Sequence, residues 1–201
     1  HKIISLDRGR ILLHEFTHAL HHADTSPARQ EHPTWVSEGL ATLFQSCRIS
    51  PSGLEPVVDA SVLTFQKAIR TKTAVPLADL MAMGQKRFLE KADLCYAQAR
   101  YALFWLYEKG QLKQWYQRYK ATYADDPSGL RAFEWAAGNR LFVIEDEWHR
   151  WVAGLKLPLG ELRAGQGRLG AEVEDHPQGV RVVSLVEGSA AKQAGRLQVG
   201  D

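Results

Sequence analysis

Residues 14–24 read HEFTHALHHAD, with four histidines, a glutamate and an aspartate in eleven positions. On an α-helix each residue turns by about 100°, so His14 and His18 lie about 40° apart on one face, and both imidazoles can reach a single metal ion. Glu15 projects beside them, where a carboxylate can take a proton from a water on the metal instead of ligating the metal itself. Leu12, Leu13, Phe16 and Leu20 fall on the opposite side. The spacing therefore predicts a helix with an apolar back for a core and a polar front for a cleft. A histidine-rich helix can carry two such residues by chance, so the third protein ligand decides the reading.

Two residues compete for that place. Asp24, six residues after His18, can return to the metal only if the chain reverses between them. The reversal favours glycine, and His21 stands there, which weakens Asp24. Glu38, twenty residues after His18 in WVSEGLATLF, lies on a second predicted helix opposite Val36, Leu40, Leu43 and Phe44. Two helices would then face each other across the metal, with Gly39 allowing close approach. Two histidines, one glutamate and a water form a known catalytic zinc set with an open fourth position. Asp24 remains the fallback.

The combined pattern His14-Glu15-x-x-His18 and Trp35-x-x-Glu38-Gly39-x-Ala41 resembles the gluzincin zinc peptidases, close to the peptidase MA-like group and more distantly the aminopeptidase N and thermolysin families. The resemblance implies one zinc ion held by His14, His18 and Glu38, with Glu15 as general base in the hydrolysis of a peptide or protein substrate. It also implies a tyrosine that stabilises the oxyanion from the start of a later helix. Tyr96, in CYAQARYALFWLYEKG, fits that position; Tyr101 competes but falls deeper, amid Leu103, Phe104 and Trp105. One departure stands out. No carboxylate follows Glu38 by about one turn to orient a ligand histidine; Thr42 and Gln45 are the residues found there. His21 and His22 read as a helix end, where a cation is favoured, and His32, His149 and His176 as structural residues in loop or surface settings. The rival reading, from another class, is a peptidase-derived scaffold without turnover that acts as an interaction module.

The elements that must position these residues are mostly helices. The first 155 residues carry helical periodicity in RGRILLHEFTHALHHA, PTWVSEGLATLFQS, EPVVDASVLTFQKAIR, VPLADLMAM and KADLCYAQARYALFWLYEKG. Two further helices are expected near 111–122 and 127–138, and IEDEWHRWVAGL closes the helical part; the tryptophans and tyrosines read as core. Beyond KLPLGELRAGQG the texture turns to the strand-like LGAEVE and GVRVVSLVE. The fold class expected is mainly α, a zincin-like helical peptidase core followed by a small β-rich segment. The domain reading is 1–158 catalytic region, 159–166 linker and 167–201 partial PDZ-like unit. LGAEVEDHPQGVRVVSLVEGSAAKQAGRLQVGD resembles the first half of a bacterial-type PDZ domain, with Leu169-Gly170 at the peptide-carboxylate loop. The resemblance implies a peptide groove whose helix would follow Asp201.

Composition bounds the partners. At 201 residues and 45% hydrophobic, the chain can bury one sizeable core. With 25 basic and 23 acidic residues spread along it, there is no electrostatic footprint for nucleic acid or an anionic membrane. No apolar run reaches the roughly 18 residues of a bilayer span. Cys47 and Cys95 can pair in an exported protein or sit apart as small buried hydrophobes, the second being favoured. Both ends read as cut, and zinc peptidases of this kind resemble one another in having a β-sheet before the active-site helix. Any export signal would lie upstream, and an extracytoplasmic location, periplasmic or secreted, is favoured. The sequence carries no signal for oligomeric state.

Overall fold

The computed structural model describes residues 4–51, 53–157, 171–176 and 179–185. The chain divides into two units, His1–Leu157 and Pro158–Asp201. The first is mainly helical. It runs α1 (Ile4–Thr25), a 3-10 turn (Ser26–Ala28), α2 (Thr34–Gln45), a hairpin of β1 (Cys47–Ser50) and β2 (Gly53–Pro56), then α3 (Ser61–Thr71), α4 (Leu77–Ala82) and α5 (Gln85–Glu90). It continues through α6 (Ala92–Glu108), α7 (Leu112–Thr122), α8 (Leu130–Ala137) and α9 (Leu141–Gly154). No helix among the described residues is long and apolar enough to cross a membrane.

The expected helix over EPVVDASVLTFQKAIR begins six residues late. Pro56 has no N–H to give a helix, and its ring drives Glu55 to extended backbone. Glu55 instead pairs with Arg48 across an antiparallel ladder that runs from Cys47↔Pro56 to Ser50↔Gly53. Asp59 then turns the chain into α3: its Oδ1 accepts from the Ser61 amide at 3.0 Å and from the Ser61 hydroxyl. The hairpin and the short α5 answer to no expectation from periodicity.

The core gathers Trp35, Trp105, Trp115 and Trp148 with Phe65, Phe88 and Phe133, all essentially buried. Its centre is the crossing of α2 on α6. A Cβ at Gly39 would stand 2.9 Å from Leu103 Cδ1 and 3.2 Å from the Ala99 carbonyl oxygen. The close approach that Gly39 permits is therefore made to α6, and not to α1 as the sequence suggested.

A buried charge ties this crossing to the hairpin. Arg100, 1% exposed in the middle of α6, donates to the Thr42, Leu43 and Val57 carbonyls, and its Nε stands 3.4 Å from Asp59 Oδ2. Thr42 and Leu43 are in the last turn of α2, whose carbonyls have no partner within the helix, and a guanidinium is well shaped to take them. Burial pushes the Asp59 carboxyl up, but the Arg100 charge and hydrogen bonds from Ser61 and Ser46 outweigh it, and its pKa is lowered. The Tyr101 hydroxyl closes the group by donating to the Asp59 carbonyl oxygen.

α1 departs from its expected packing. Leu12, Phe16 and Leu20 are 69, 56 and 55% exposed, and of the four apolar residues expected on the back of the helix Leu13 alone is half-buried. The helix meets α2 along its histidine side, so the apolar back that periodicity assigned to the core is uncovered among the described residues.

In the second unit, β3 (Ala171–His176) and β4 (Gly179–Leu185) form an antiparallel hairpin with a register shift at Glu172/Val173. Leu169-Gly170, the 159–166 linker and residues 186–201 lie outside the described residues.

Arg100→Ala leaves a buried carboxylate without its counter-charge and the last carbonyls of α2 without their donor, and urea denaturation at pH 7 should show a loss of about 3–5 kcal/mol. Because the folded pKa of Asp59 is depressed, its stabilising contribution is complete above the unfolded value near 4 and is lost as pH falls through the folded value. The stability gap between wild type and Asp59→Asn should therefore close on the acid side of about pH 4. A gap that persists unchanged to pH 2 would contradict this assignment.

Candidate metal centre

Three side chains from two helices converge on one point. His14 and His18 come from α1 and Glu38 from α2, and each offers one ligand atom within 4.8 Å of the others. His14 Nε2 and His18 Nε2 are 3.1 Å apart, and each is 3.5 Å from Glu38 Oε2. Ligands held at about 2.0–2.1 Å in a tetrahedral site stand about 3.3 Å from one another. The Glu38 Oε2 atom is buried and accepts no hydrogen bond, a costly state for a carboxylate oxygen unless a cation supplies the partner. The donor set, two imidazole nitrogens and a carboxylate, fits a divalent ion, and the group can hold one.

The residues around this point are ordered in turn. His14 Nδ1 is 2.9 Å from Gln45 Oε1. The Thr42 hydroxyl donates at 2.6 Å to the carbonyl of Glu38, on its own helix. Glu15 is exposed on α1 between the two histidines. Tyr96, half-buried near the start of α6, rests edge-on against Phe88. Burial, then the charge of the neighbouring Glu38 carboxylate and a hydrogen bond to it, push its hydroxyl pKa up. Tyr101 is fully buried, its hydroxyl engaged with Asp59 and its pKa pushed up to about 12, first by burial and then by that carboxylate.

The rest of the opening motif serves a different structure. Asp24 accepts from Lys120 Nζ at 2.7 and 2.8 Å and from the Tyr116 hydroxyl at 2.8 Å, both on α7. It is not among the clustered ligand atoms, and Lys120, then Tyr116, lower its pKa. His21 and His32 form a relay. Gln30 Nε2 donates to the Lys120 carbonyl at 2.8 Å, which turns Gln30 Oε1 toward His32 Nε2 at 3.1 Å. His32 Nε2–H then donates to that oxygen, and His32 Nδ1 accepts from His21 Nε2–H at 2.8 Å. Burial first, then the nearby His21 and Lys120 charges, pull His32 down to about 4, and burial likewise lowers His21. His32, expected to be a structural residue in a loop, ties the segment before α2 to the end of α1. His149 sits in α9 and not in a loop, its ring against Phe65 and Trp148. His22 is exposed, and the side chain of His176 lies outside the described residues. Cys47 and Cys95 are both free.

A cavity of about 480 Å³ is lined by His18 of the cluster together with His21, Arg29, Glu31, His32 and Ser37 among others, all polar residues. Sequence reasoning named the three residues that cluster here but missed Arg100 and the His21–His32 pairing. A lone arginine inside the apolar run AQARYALFWL was the one available signal for the first.

Fold and cluster together define a mainly helical protein with a site able to hold a metal ion through two histidines and a glutamate. The chain belongs to the family described as protein of unknown function, DUF1570, whose model matches residues 11–127. That span includes His14, Glu15, His18, Glu38, Gln45, Tyr96 and Arg100 and ends before β3. No curated protein and no solved structure matches the chain.

Between pH 6.5 and about 4 the unfolded chain protonates a histidine that the folded protein keeps neutral at position 32. Stability from His32 is therefore lost as pH falls through that window. Long-range 15N–1H NMR should show the His32 ring neutral at pH 5, protonated on Nε2, with a midpoint near 4. A midpoint at the ordinary value of about 6.5 would disprove the relay.

Proposed function

We propose that this protein is a zinc-dependent peptidase of gluzincin type, with His14, His18 and Glu38 as ligands and peptide or protein as substrate. The observation that carries this reading is the buried, unpartnered Glu38 Oε2, set 3.5 Å from both histidine Nε2 atoms. The donor set is the one that catalytic zinc uses when a fourth position stays open. Zinc in such a site supplies Lewis acidity, polarising a carbonyl and making water nucleophilic near neutral pH.

The chain's own residues then divide the remaining work. Glu15, exposed on the helix between the two ligands, accepts the proton of the attacking water on a carboxylate oxygen and returns it to the leaving amine. Tyr96 stands beside Glu38 and presents an O–H that can donate to the developing oxyanion. The polar cavity that His18 helps to line gives room for the substrate chain next to the reacting carbonyl. The β3–β4 hairpin is read, on its sequence resemblance, as part of a PDZ-like unit, a kind of domain that binds an extended peptide by strand addition.

Metal analysis with paired variants tests the assignment. Wild type should take up about one zinc per chain, Glu38→Ala should lose it, and Asp24→Ala should keep it. Glu15→Gln should retain the metal while peptide hydrolysis falls by about 10²–10⁴-fold. Tyr96→Phe should keep zinc and lower kcat by about 10²–10³-fold. Zinc that survives Glu38→Ala but not Asp24→Ala would overturn the ligand set. Zinc uptake with no cleavage across a mixed peptide library would favour the non-catalytic scaffold.

A further inference from the structure

We infer that Gln45 is the positioning residue for the metal ligand His14, and that it does with a neutral amide what a carboxylate does in many histidine–metal sites. The inference rests on the metal-site reading above. Gln45 follows Glu38 by seven residues, about two helical turns, so the two share one stripe of α2. From that stripe Glu38 Oε2 approaches His14 Nε2 at 3.5 Å, while Gln45 Oε1 reaches His14 Nδ1 at 2.9 Å. One helix thus addresses both nitrogens of the same imidazole.

The consequence is a fixed tautomer. An amide oxygen only accepts, so His14 Nδ1 carries the proton and Nε2 presents its lone pair toward His18 and Glu38. The opposite amide orientation would place N–H donors against Nδ1 and force the proton onto Nε2, closing that nitrogen to a metal. Thr42, one turn from Glu38, gives its only proton to the carbonyls of its own helix, and it is Gln45 that stands at hydrogen-bond distance from His14 Nδ1. Gln45 itself is the last residue of α2, where Arg100 holds the Thr42 and Leu43 carbonyls. The buried guanidinium therefore sets where the amide stands. A neutral acceptor also leaves the imidazole less basic than a carboxylate would, so the metal is held less tightly than the fold permits.

Zinc titration against a competing chelator, on the full chain, separates the outcomes. Gln45→Leu should weaken zinc binding by about 10–100-fold, whereas Gln45→Glu, which can only accept at this point, should bind at least as tightly as wild type. Thermal unfolding of the metal-free proteins shows whether Gln45→Leu has also disturbed the fold. If it has, the comparison of Gln45→Glu with wild type decides. Zinc binding by Gln45→Leu equal to wild type would overturn the inference, as would a Gln45→Glu variant weakened as much as Gln45→Leu. Wild type that takes up no zinc at all would instead overturn the metal site itself.

Discussion

A single buried guanidinium organises the site-bearing half of this protein. Arg100 lies in the middle of α6 with almost no exposure, where a charge is costly unless an opposite charge and hydrogen bonds compensate it. Asp59 supplies the opposite charge, and the open carbonyls at the end of α2 and the Val57 carbonyl take the donors. Helix, hairpin and the start of α3 are thereby fixed to one group. Gly39 completes the constraint by letting the α2 backbone settle against Ala99 and Leu103 of α6. Since Glu38 and Gln45 flank the clamped stretch of α2, the geometry of the candidate metal centre follows from a contact made away from it.

α1 is held by a different kind of force. Its apolar stripe is exposed among the described residues, so burial of that stripe does not set its position. Polar contacts do: Asp24 to Lys120 and Tyr116 on α7, His21 to His32 in the segment before α2, and His14 to Gln45 on α2. The histidine relay adds rigidity without adding charge, because both rings are neutral. A metal bound by His14, His18 and Glu38 would add a further bridge between α1 and α2, coupling ion binding to the docking of the helix that carries the motif.

Much of this was legible in the chain. The helical character, the burial of Trp35, Trp105, Trp115 and Trp148, and the strands beyond residue 170 follow from periodicity, aromatic placement and β-branched runs. Periodicity failed at residues 47–60. There a proline and an Asx turn interrupt an apolar pattern that, read alone, continues a helix. It failed again for the back of α1, since an amphipathic pattern names the face that is apolar but not the element that covers it. Among the histidines, spacing picked out His14 and His18. It read His32 as structural without naming its partner, because that partner is eleven residues away and the pairing depends on where the chain re-enters α2.

What the sequence determined by itself is local: two imidazoles one turn apart, a carboxylate between them, and a second helix with a carboxylate on its polar side. These follow from the fixed 100° step of a helix and need no knowledge of the rest of the chain. Tertiary structure decided which distant groups meet. It brought Glu38 rather than Asp24 to the histidines, because Lys120 and Tyr116 hold the Asp24 carboxylate elsewhere. It also put Gln45 where the sequence looked for a carboxylate and found none. Contacts between helices depend on crossing angle and end-capping, and here on a buried arginine, none of which is written in the spacing of the motif they complete.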